Sequence, residues 1–279
     1  MELTHKDIKA IKTLVYKYTG IILNDSKDIM IKNRVHKLIE KHSLPHDMKY
    51  ILERVSSGEL REIFINSFTT NKTDLFREVF HFNDLLDRVF TEHFKYENSI
   101  NIYCCASSTG EEPYSIATTF LHYKELMNAP INATITATDI DTNVLAQAKE
   151  GVFQVNKYQN PFPNWFKPQL YFKRRETQET IPYFFIKAKD EVKKLLTFKQ
   201  LNLFDQTYPF KESSLDVIFC RNVLIYFNTK DQGAIIHKLL KILKMGGTIY
   251  FGHSENPLEY SRYLEKKGHN IFVKVKDIL

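Results

Sequence analysis

The sequence predicts an α/β protein in which a mostly parallel sheet carries helices on both faces. An all-helical N-terminal domain and a small antiparallel β insertion complete the prediction. From residue 100 onward, short apolar runs alternate with helical patterns, which is typical of a parallel sheet. Before residue 69 the apolar residues follow helical spacing only. Between residues 151 and 196 the strand–helix alternation lapses, which indicates the insertion.

Length and composition suit a globular protein with one large domain and a small accessory domain. The 279 residues are 43% hydrophobic and 26% charged. No apolar run reaches membrane-spanning length, and the polar start of the chain does not resemble a signal peptide. Three cysteines cannot form a disulfide framework, and no cysteine–histidine spacing matches a zinc site. We therefore expect a cytoplasmic protein without membrane insertion and without a bound metal.

The predicted N-terminal domain spans residues 1–68 and consists of helices. Apolar residues recur at helical spacing over 4–19, 28–42, 47–56 and 59–67. The second of these helices is basic, because segment 27–41 has five Lys or Arg against two acidic residues. A second basic segment, 157–200, has ten against four. Such segments favour an acidic partner, either nucleic acid or a protein surface, and a solvated basic face is the alternative.

Residues 69–98 are predicted to form a linker and the first helix of the domain that follows. The stretch 69–77 is polar and breaks the helical pattern, and a helix is predicted over 75–95. The polar stretch is either an ordinary helix entry or a linker that lies across a ligand site.

The predicted α/β domain spans residues 99–279. Its strands are expected at 100–105, 133–138, 197–203, 215–220, 248–252 and 270–275, and its helices at 111–128, 142–150 and 230–244. The β insertion is expected over about 168–197, with strands at 171–176 and 183–187 and a turn at 177–182. The insertion either offers an edge to an extended peptide or only caps the sheet. Ligands of such sheets bind beyond the carboxyl ends of the strands, so we expect the site there.

The stretch 100–115 (INIYCCASSTGEEPYS) has the features of a ligand-binding turn. A strand runs into small residues, which let a ligand approach the backbone closely. The following helix opens on Glu111 and Glu112. Since anions near a helix N-terminus oppose phosphate binding, these carboxylates disfavour a pyrophosphate and favour a ligand with an ammonium or sulfonium charge. The alternative is that both glutamates only cap the helix.

A further acidic residue, Asp139, follows the next predicted strand. An acidic side chain in this place accepts hydrogen bonds from ribose hydroxyls. A dinucleotide is disfavoured, because the turn after the first strand has only Gly110 where the dinucleotide motif has three glycines. A ligand with a ribose and a positive charge but no phosphate fits both observations, and S-adenosylmethionine is such a ligand.

Five motifs occur in the order and near the spacing of one family: TTNKTDLFRE (69–78), SSTGEEPYSIA (107–117), ATDID (137–141), NLFD (202–205) and FCRNVLIYF (219–227). On these motifs, and over nearly its whole length, the chain resembles the CheR-type chemotaxis receptor (protein-glutamate) O-methyltransferases. The resemblance implies a class I S-adenosylmethionine-dependent methyltransferase fold, which is Rossmann-like. It also implies methyl transfer to glutamate side chains of bacterial chemoreceptors for chemotactic adaptation.

The resemblance implies roles for individual residues as well. Cofactor contacts are implied for Asn71, Thr73, Arg77, Glu112, Asp139, Asn202, Leu203, Cys220 and Arg221. Among them, Glu112 matches the partner of the methionine amino group and Asp139 matches the ribose ligand. Arg77 and Tyr226 match the pair nearest the transferred methyl group and are the catalytic candidates. The alternative is a relative that senses the cofactor without turnover, and the filled cofactor and catalytic positions argue against it.

The resemblance also gives the basic helix a meaning. Chemoreceptor methylation helices are rich in glutamate, so Lys32, Arg34 and Lys37 are expected to contact the cytoplasmic domain of a chemoreceptor. Nucleic acid is not expected, because 219–227 lacks the Asn/Asp-Pro-Pro-aromatic motif of amino-group methyltransferases. In some family members a glycine-containing loop of the β insertion docks a receptor tail peptide. Stretch 173–183 has no glycine, so we expect no such docking, and we expect a monomer.

Overall fold

The computed structural model describes residues 3–128, 130–156, 158, 162–175 and 183–278. It contains a helical N-terminal part, a seven-stranded sheet flanked by helices and a separate three-stranded sheet. None of the helices within these ranges combines the length and the apolar character needed to cross a lipid bilayer. The predicted α/β architecture with a preceding all-helical domain is confirmed.

Four helices form the N-terminal part: α1 (His5–Thr19), α2 (Asp28–His42), α3 (Met48–Ser57) and α4 (Arg61–Phe68), with a 3-10 turn at Asp25–Lys27. α1 begins at a capping box, in which Thr4 and Asp7 each accept a hydrogen bond from the other's backbone. It ends at Gly20, whose φ of 74° places it in the left-handed region. The apolar faces of the four helices share one core, which confirms that the helical spacing marks their buried sides.

The helix predicted over 75–95 begins later than expected. It is formed by α5 (Phe80–Asp84), a π-helical stretch (Leu85–Phe90) and α6 (Thr91–His93). Ahead of it, Phe76 and Glu78 have left-handed backbones, with φ of 53° and 58°. Because residues in that conformation cannot continue a right-handed helix, α5 starts only at Phe80.

The α/β part has ten strands within the described residues: β1 (Ser99–Cys104), β2 (Asn132–Asp139), β3 (Val152–Asn156), β4 (Phe172–Arg175), β5 (Tyr183–Ala188), β6 (Leu196–Gln200), β7 (Leu215–Cys220), β8 (Leu243–Phe251), β9 (Leu264–Gly268) and β10 (Ile271–Lys274). The main sheet has the order β6-β2-β1-β7-β8-β10-β9. Its strands from β6 to β8 are parallel, and β10 runs antiparallel to β8 and β9.

The helices of the α/β part are α7 (Glu111–Met127), α8 (Thr142–Glu150), α9 (Pro168–Tyr171), α10 (Asp190–Lys193) and α11 (Thr229–Ile242). Both faces of the main sheet are covered, because α7 packs into one core and α11 into the other. Alternate residues of β1 face different cores. Ile102 and Cys104 belong to one core, and Tyr103 belongs to the other. All residues of the neighbouring β7 are buried, as expected for a parallel strand covered on both sides.

Several strands differ from the prediction. β6 ends at Gln200, so Asn202 and Leu203 lie in the loop after it. The insertion has a third strand, β3, which pairs antiparallel with β5 and which the sequence analysis did not assign. β9 was also not assigned, because this exposed edge strand is mostly charged and lacks apolar alternation. The predicted turn at 177–182 lies outside the described residues.

The N-terminal helices rest on the loops at the carboxyl edge of the sheet. The Asn202 side-chain amide donates to the Tyr18 carbonyl oxygen at 2.8 Å, and the Ile22 backbone N–H donates to the Tyr226 carbonyl oxygen at 2.9 Å. The end of α1 is therefore joined to the loops that follow β6 and β7. The end of α1 thus lies over the edge of the sheet at which ligands bind in this architecture.

Candidate active site

An open cleft of about 520 Å³ lies beyond the carboxyl ends of β1, β2 and β7. Its walls come from residues 21–23 after α1, from α2, from the linker 69–77 and from the loops after the three strands. The predicted site residues that line it are Arg34, Asn71, Thr73, Arg77, Glu112, Asp139, Arg221 and Tyr226. An apolar slot of about 50 Å³ adjoins the cleft and is lined by Asn202 and Leu203.

The turn after β1 forms the floor of the cleft. Ala106, Ser108 and Gly110 have left-handed backbones, with φ of 48°, 49° and 103°. A Cβ atom at Gly110 would lie 3.1 Å from that of Ala148, so the turn requires glycine. The buried Ser107 hydroxyl lines the cleft and has no hydrogen-bond partner among the described residues. Buried polar groups are normally paired, so this hydroxyl fits contact with a ligand.

Glu112 stands in the first turn of α7 and faces this floor. Its Oε2 accepts a hydrogen bond from Arg221 Nη1 at 2.5 Å, and its Oε1 accepts one from Cys104 Sγ at 3.2 Å. Glu111 instead accepts a hydrogen bond from the Thr109 hydroxyl at 2.6 Å and does not line the main cleft. The structure thus separates two adjacent glutamates that the sequence alone left equivalent.

Asp139 lies at the end of β2 on the opposite side of the turn. It is 7% exposed, and its carboxylate accepts backbone N–H groups of Ser108 at 2.8 Å and Asp141 at 2.9 Å. Burial raises the pKa of Asp139, although these backbone donors favour its charged form. Each oxygen keeps a further lone pair for a hydroxyl donor in the cleft.

Asp141, which the sequence analysis did not single out, fastens the linker across the end of β2. Its Oδ1 accepts the Asn143 backbone N–H at the start of α8, at 2.9 Å. Its Oδ2 accepts the Thr69 hydroxyl at 2.6 Å and the Asn71 amide at 3.0 Å. The linker therefore lies across the cleft, and its Asn71 and Thr73 form part of the wall.

Arg77 is presented to the cleft between two anchored neighbours. The Phe76 ring packs against Phe166 with centroids 4.7 Å apart, and the Phe76 backbone N–H donates to the Ser115 hydroxyl at 2.9 Å. On the other side, Glu78 binds the buried Arg221. A left-handed backbone costs about 1–2 kcal/mol at each of Phe76 and Glu78. Strain of this kind at a cleft is typical of a functional segment.

Arg221 follows β7 and is buried behind Glu112. Its side chain is 0% exposed, its Nη2 lies 3.3 Å from Glu78 Oε2, and it also donates to the Arg77 carbonyl oxygen at 2.5 Å. Cys220 is fully buried in the core, and its side chain does not line the cleft. The structure thus brings Arg221 to the site but leaves the Cys220 side chain inside the sheet.

Next to this network, the buried His81 predicts a pH dependence of stability. Burial and the Arg221 charge lower the pKa of His81 to about 3, whereas the ordinary value is 6.5. Between these values the unfolded chain binds a proton that the folded chain does not, so stability falls as the pH drops. Between pH 7 and pH 5 this single histidine should lower the free energy of unfolding by about 2 kcal/mol.

The measurement is urea unfolding at both pH values. His81→Gln should remove about 2 kcal/mol of the pH-dependent loss. The exposed His46→Gln, a matched control, should leave the loss as it is. An equal loss in wild type and His81→Gln would contradict a neutral His81.

Tyr226 ends a 3-10 turn, Leu224–Tyr226, in the loop after β7. A buried carboxylate, Glu255, shapes this loop. It accepts four backbone N–H groups at 2.6–2.8 Å, from Asn222, Val223, Leu224 and Gly252. Burial raises the pKa of Glu255, although the four donors favour its charged form. Glu255 thus holds the backbone that carries Arg221 and Tyr226, and sequence reasoning missed it.

The apolar slot lies where the loops after β6 and β7 meet. Leu203 is buried in its wall. Asn202 borders the slot, but its side-chain amide donates a hydrogen bond to the Tyr18 carbonyl oxygen at 2.8 Å. The slot shares Asp139 and Tyr226 with the main cleft. A flat apolar group attached to a ribose at Asp139 fits this neighbourhood.

The three basic residues of α2 are placed differently. Lys32 and Lys37 are exposed. Arg34 is partly buried and lines the cleft, and its guanidinium donates to the Thr69 carbonyl oxygen at 2.7 Å and to the Thr70 hydroxyl at 3.1 Å. Arg34 therefore holds the linker, whereas the two lysines are not part of the cleft.

An open α/β sheet with carboxylates after two adjacent strands, an apolar slot and no pyrophosphate-binding glycine motif defines an S-adenosylmethionine-dependent methyltransferase. The unpaired Ser107 hydroxyl and the free lone pairs of Asp139 fit that cofactor. Two family models match the chain: the CheR methyltransferase all-alpha domain over residues 6–69, and the CheR methyltransferase SAM binding domain over residues 71–272.

Curated relatives agree with these models. The chain is 34% identical to the chemotaxis protein methyltransferase of Escherichia coli K12, over 99% of this chain and 93% of the relative. It is 33% identical to that of Borreliella burgdorferi, over 91% and 89%. The chain belongs to the CheR methyltransferase family. It is a methyltransferase of chemotaxis that uses S-adenosylmethionine, and chemoreceptor glutamates are the family's standard substrate.

Proposed function

We propose that the cleft methylates glutamate carboxylates of chemoreceptor methylation helices, with Arg77 and Tyr226 beside the reacting atoms. The strongest support is that Glu112, Asp139 and Arg77, from three separate parts of the chain, converge on one cleft. The carboxylates of Glu112 and Asp139 can bind an ammonium group and ribose hydroxyls, and the guanidinium of Arg77 can bind a substrate carboxylate. Labelled methyl transfer to cytoplasmic receptor fragments tests this, because base-labile release as methanol marks a glutamyl ester. Stable label in RNA instead would indicate a nucleic-acid methyltransferase.

The methyl transfer requires the chain mainly to position the two reactants. S-adenosylmethionine supplies a methyl group made electrophilic by its sulfonium sulfur. A glutamate carboxylate is already ionised at neutral pH, so no general base is needed. Arg77 orients the incoming carboxylate through its planar fork, and Tyr226 bounds the space where the cleft meets the slot.

The cofactor roles follow the walls of the cleft. Asp139 takes the ribose hydroxyls, Glu112 takes the methionine amino group, and the slot beside Asn202 and Leu203 takes the adenine. Asn71 and Thr73 complete the wall from the linker. Arg221 acts by fixing Glu112.

Removing either carboxylate should weaken cofactor binding. Asp139→Ala and Glu112→Gln should each reduce the affinity for S-adenosylhomocysteine by about 1–3 kcal/mol, because a polar partner is left unpaired. Isothermal titration calorimetry measures this directly. Glu111→Gln is the matched control, since Glu111 does not line the main cleft. Unchanged affinity in both site variants would rule out this placement of the cofactor.

We also propose that the exposed face of α2 meets the glutamate-rich receptor helices, as charge complementarity supports. Lys32→Glu with Lys37→Glu should lower the initial rate of receptor methylation at low salt by about tenfold, because steering by opposite charges is lost. Affinity for S-adenosylhomocysteine should not change.

The control variant reverses the charges of Lys9 and Lys49, which are exposed on α1 and α3. Equal rates for the α2 variant and wild type at low salt would refute a docking role for this face. Arg34 is kept in both variants, because it holds the linker.

Three further points belong to the proposal. The cytoplasm is the proposed location, since the three cysteines are unpaired and buried and receptor methylation helices lie in that compartment. A monomer is part of the proposal. Tail-peptide docking is not proposed, because stretch 173–183 has no glycine.

A further inference from the structure

Arg221 is buried between two carboxylates, and the proposed function uses only one of them. The Arg221 side chain is 0% exposed, with Nη1 2.5 Å from Glu112 Oε2 and Nη2 3.3 Å from Glu78 Oε2. These are its carboxylate partners among the described residues. Glu78 does not line the cleft, so it cannot contact a ligand there. It meets a different guanidinium nitrogen of Arg221 from the one that Glu112 meets.

Glu78 is fixed in this position by its surroundings. Its Oε1 accepts the Asn222 side-chain amide and the His253 backbone N–H, both at 3.3 Å. Its left-handed backbone, with φ of 58°, is held by these contacts. The adjacent His81 is fully buried and neutral, so it adds no positive charge that would balance Glu78.

The charges of this cluster explain why a second carboxylate is useful. Arg221 and Glu112 alone would form a neutral pair, and a paired carboxylate attracts an ammonium group less strongly. With Glu78 behind Arg221, two carboxylates surround one guanidinium and the cluster keeps a net negative charge. An ammonium group at Glu112 then completes an alternating row of four charges.

We propose that Glu78 is a positioning residue. It pairs with Arg221 and offsets part of the positive charge of the guanidinium, which keeps Glu112 available to the ammonium group of the ligand. This inference rests on the proposed placement of the methionine amino group at Glu112. Glu78 acts through Arg221 and touches neither cofactor nor substrate. It sets the preference of the site for ligands that carry an amino-acid part over ligands that lack it.

The test compares two ligands in Glu78→Gln by isothermal titration calorimetry. S-adenosylhomocysteine carries the ammonium group, and 5′-methylthioadenosine lacks the whole amino-acid part. We expect the affinity for S-adenosylhomocysteine to fall about tenfold, the size of a typical coupling between neighbouring groups. The affinity for 5′-methylthioadenosine should be unchanged, a difference that loss of structure alone would not produce.

The remaining arms separate the possible failures. In the Glu112→Gln background, Glu78→Gln should have no further effect on S-adenosylhomocysteine. Glu92→Gln removes one exposed carboxylate that pairs with Arg88, and should leave both affinities as in wild type. If Glu78→Gln does not fold, Glu78→Asp takes its place, because the shorter side chain withdraws the carboxylate from Arg221.

Equal weakening for both ligands, or none for either, would overturn the inference. Wild-type protein that fails to bind S-adenosylhomocysteine would instead overturn the proposed function.

Discussion

Arg77→Lys should lower kcat/KM for receptor methylation by about 100-fold or more, a loss typical of removing an electrostatic positioning group. Lysine keeps the charge but not the planar fork that binds a carboxylate with two hydrogen bonds. The backbone around Arg77 supports this expectation, because the left-handed Phe76 and Glu78 hold it at the cleft from both sides. Labelled methyl transfer to a receptor fragment measures the rate.

The control for this prediction is Arg54→Lys, a half-exposed arginine of α3 that pairs with Glu59. It should methylate at the wild-type rate. Binding of S-adenosylhomocysteine is measured in parallel, because Arg77 also lines the cofactor cleft. A rate for Arg77→Lys within threefold of wild type would show that the guanidinium fork has no special role.

Much of the fold is predictable because it depends on local periodicity. Strands β1 and β7 are short apolar runs buried on both faces, and the N-terminal helices repeat their apolar residues at helical spacing. The acidic residues after β1 and β2 are predictable for a related reason. Parallel strands end at one edge, so Glu112 and Asp139 had to lie close together once the strands were assigned.

The rest of the site depends on contacts that sequence spacing does not encode. Glu78 pairs with Arg221, and Glu255 binds the loop after β7, although each pair of partners lies far apart in the sequence. Phe76 lies within the helix predicted over 75–95, yet its backbone is left-handed. Its ring packs against the distant Phe166, a contact that sequence spacing does not indicate. The signals available beforehand were the FRE end of the linker motif and the second Asp of ATDID.

The N-terminal helices contribute to the site through backbone contacts. The Ile22 backbone N–H donates a hydrogen bond to the Tyr226 carbonyl oxygen, and the Tyr18 carbonyl oxygen accepts one from the Asn202 side-chain amide. At Gly20, between them, a Cβ atom would lie 2.5 Å from the Phe204 ring. A side chain there would push α1 away from the loops that border the slot. The helical domain therefore shapes the cofactor cleft, in addition to its proposed docking role.

Glu255 is the residue whose loss should disturb the loop after β7 most. Its two oxygens accept four backbone N–H groups, two each. A glutamine of the same shape presents an oxygen to two of these donors and an amide nitrogen to the other two. Two buried N–H groups then face a donor instead of an acceptor.

Glu255→Gln should therefore lower the free energy of unfolding by about 3 kcal/mol, since each unsatisfied buried group costs about 1–3 kcal/mol. Turnover should fall as well, because the same loop carries Arg221 and Tyr226. Urea unfolding at neutral pH measures the stability. Glu259→Gln, an exposed carboxylate on the following 3-10 turn, should change it by less than about 0.5 kcal/mol. Equal stability of the two variants would mean that the four donors find other acceptors, and the loop would not depend on Glu255.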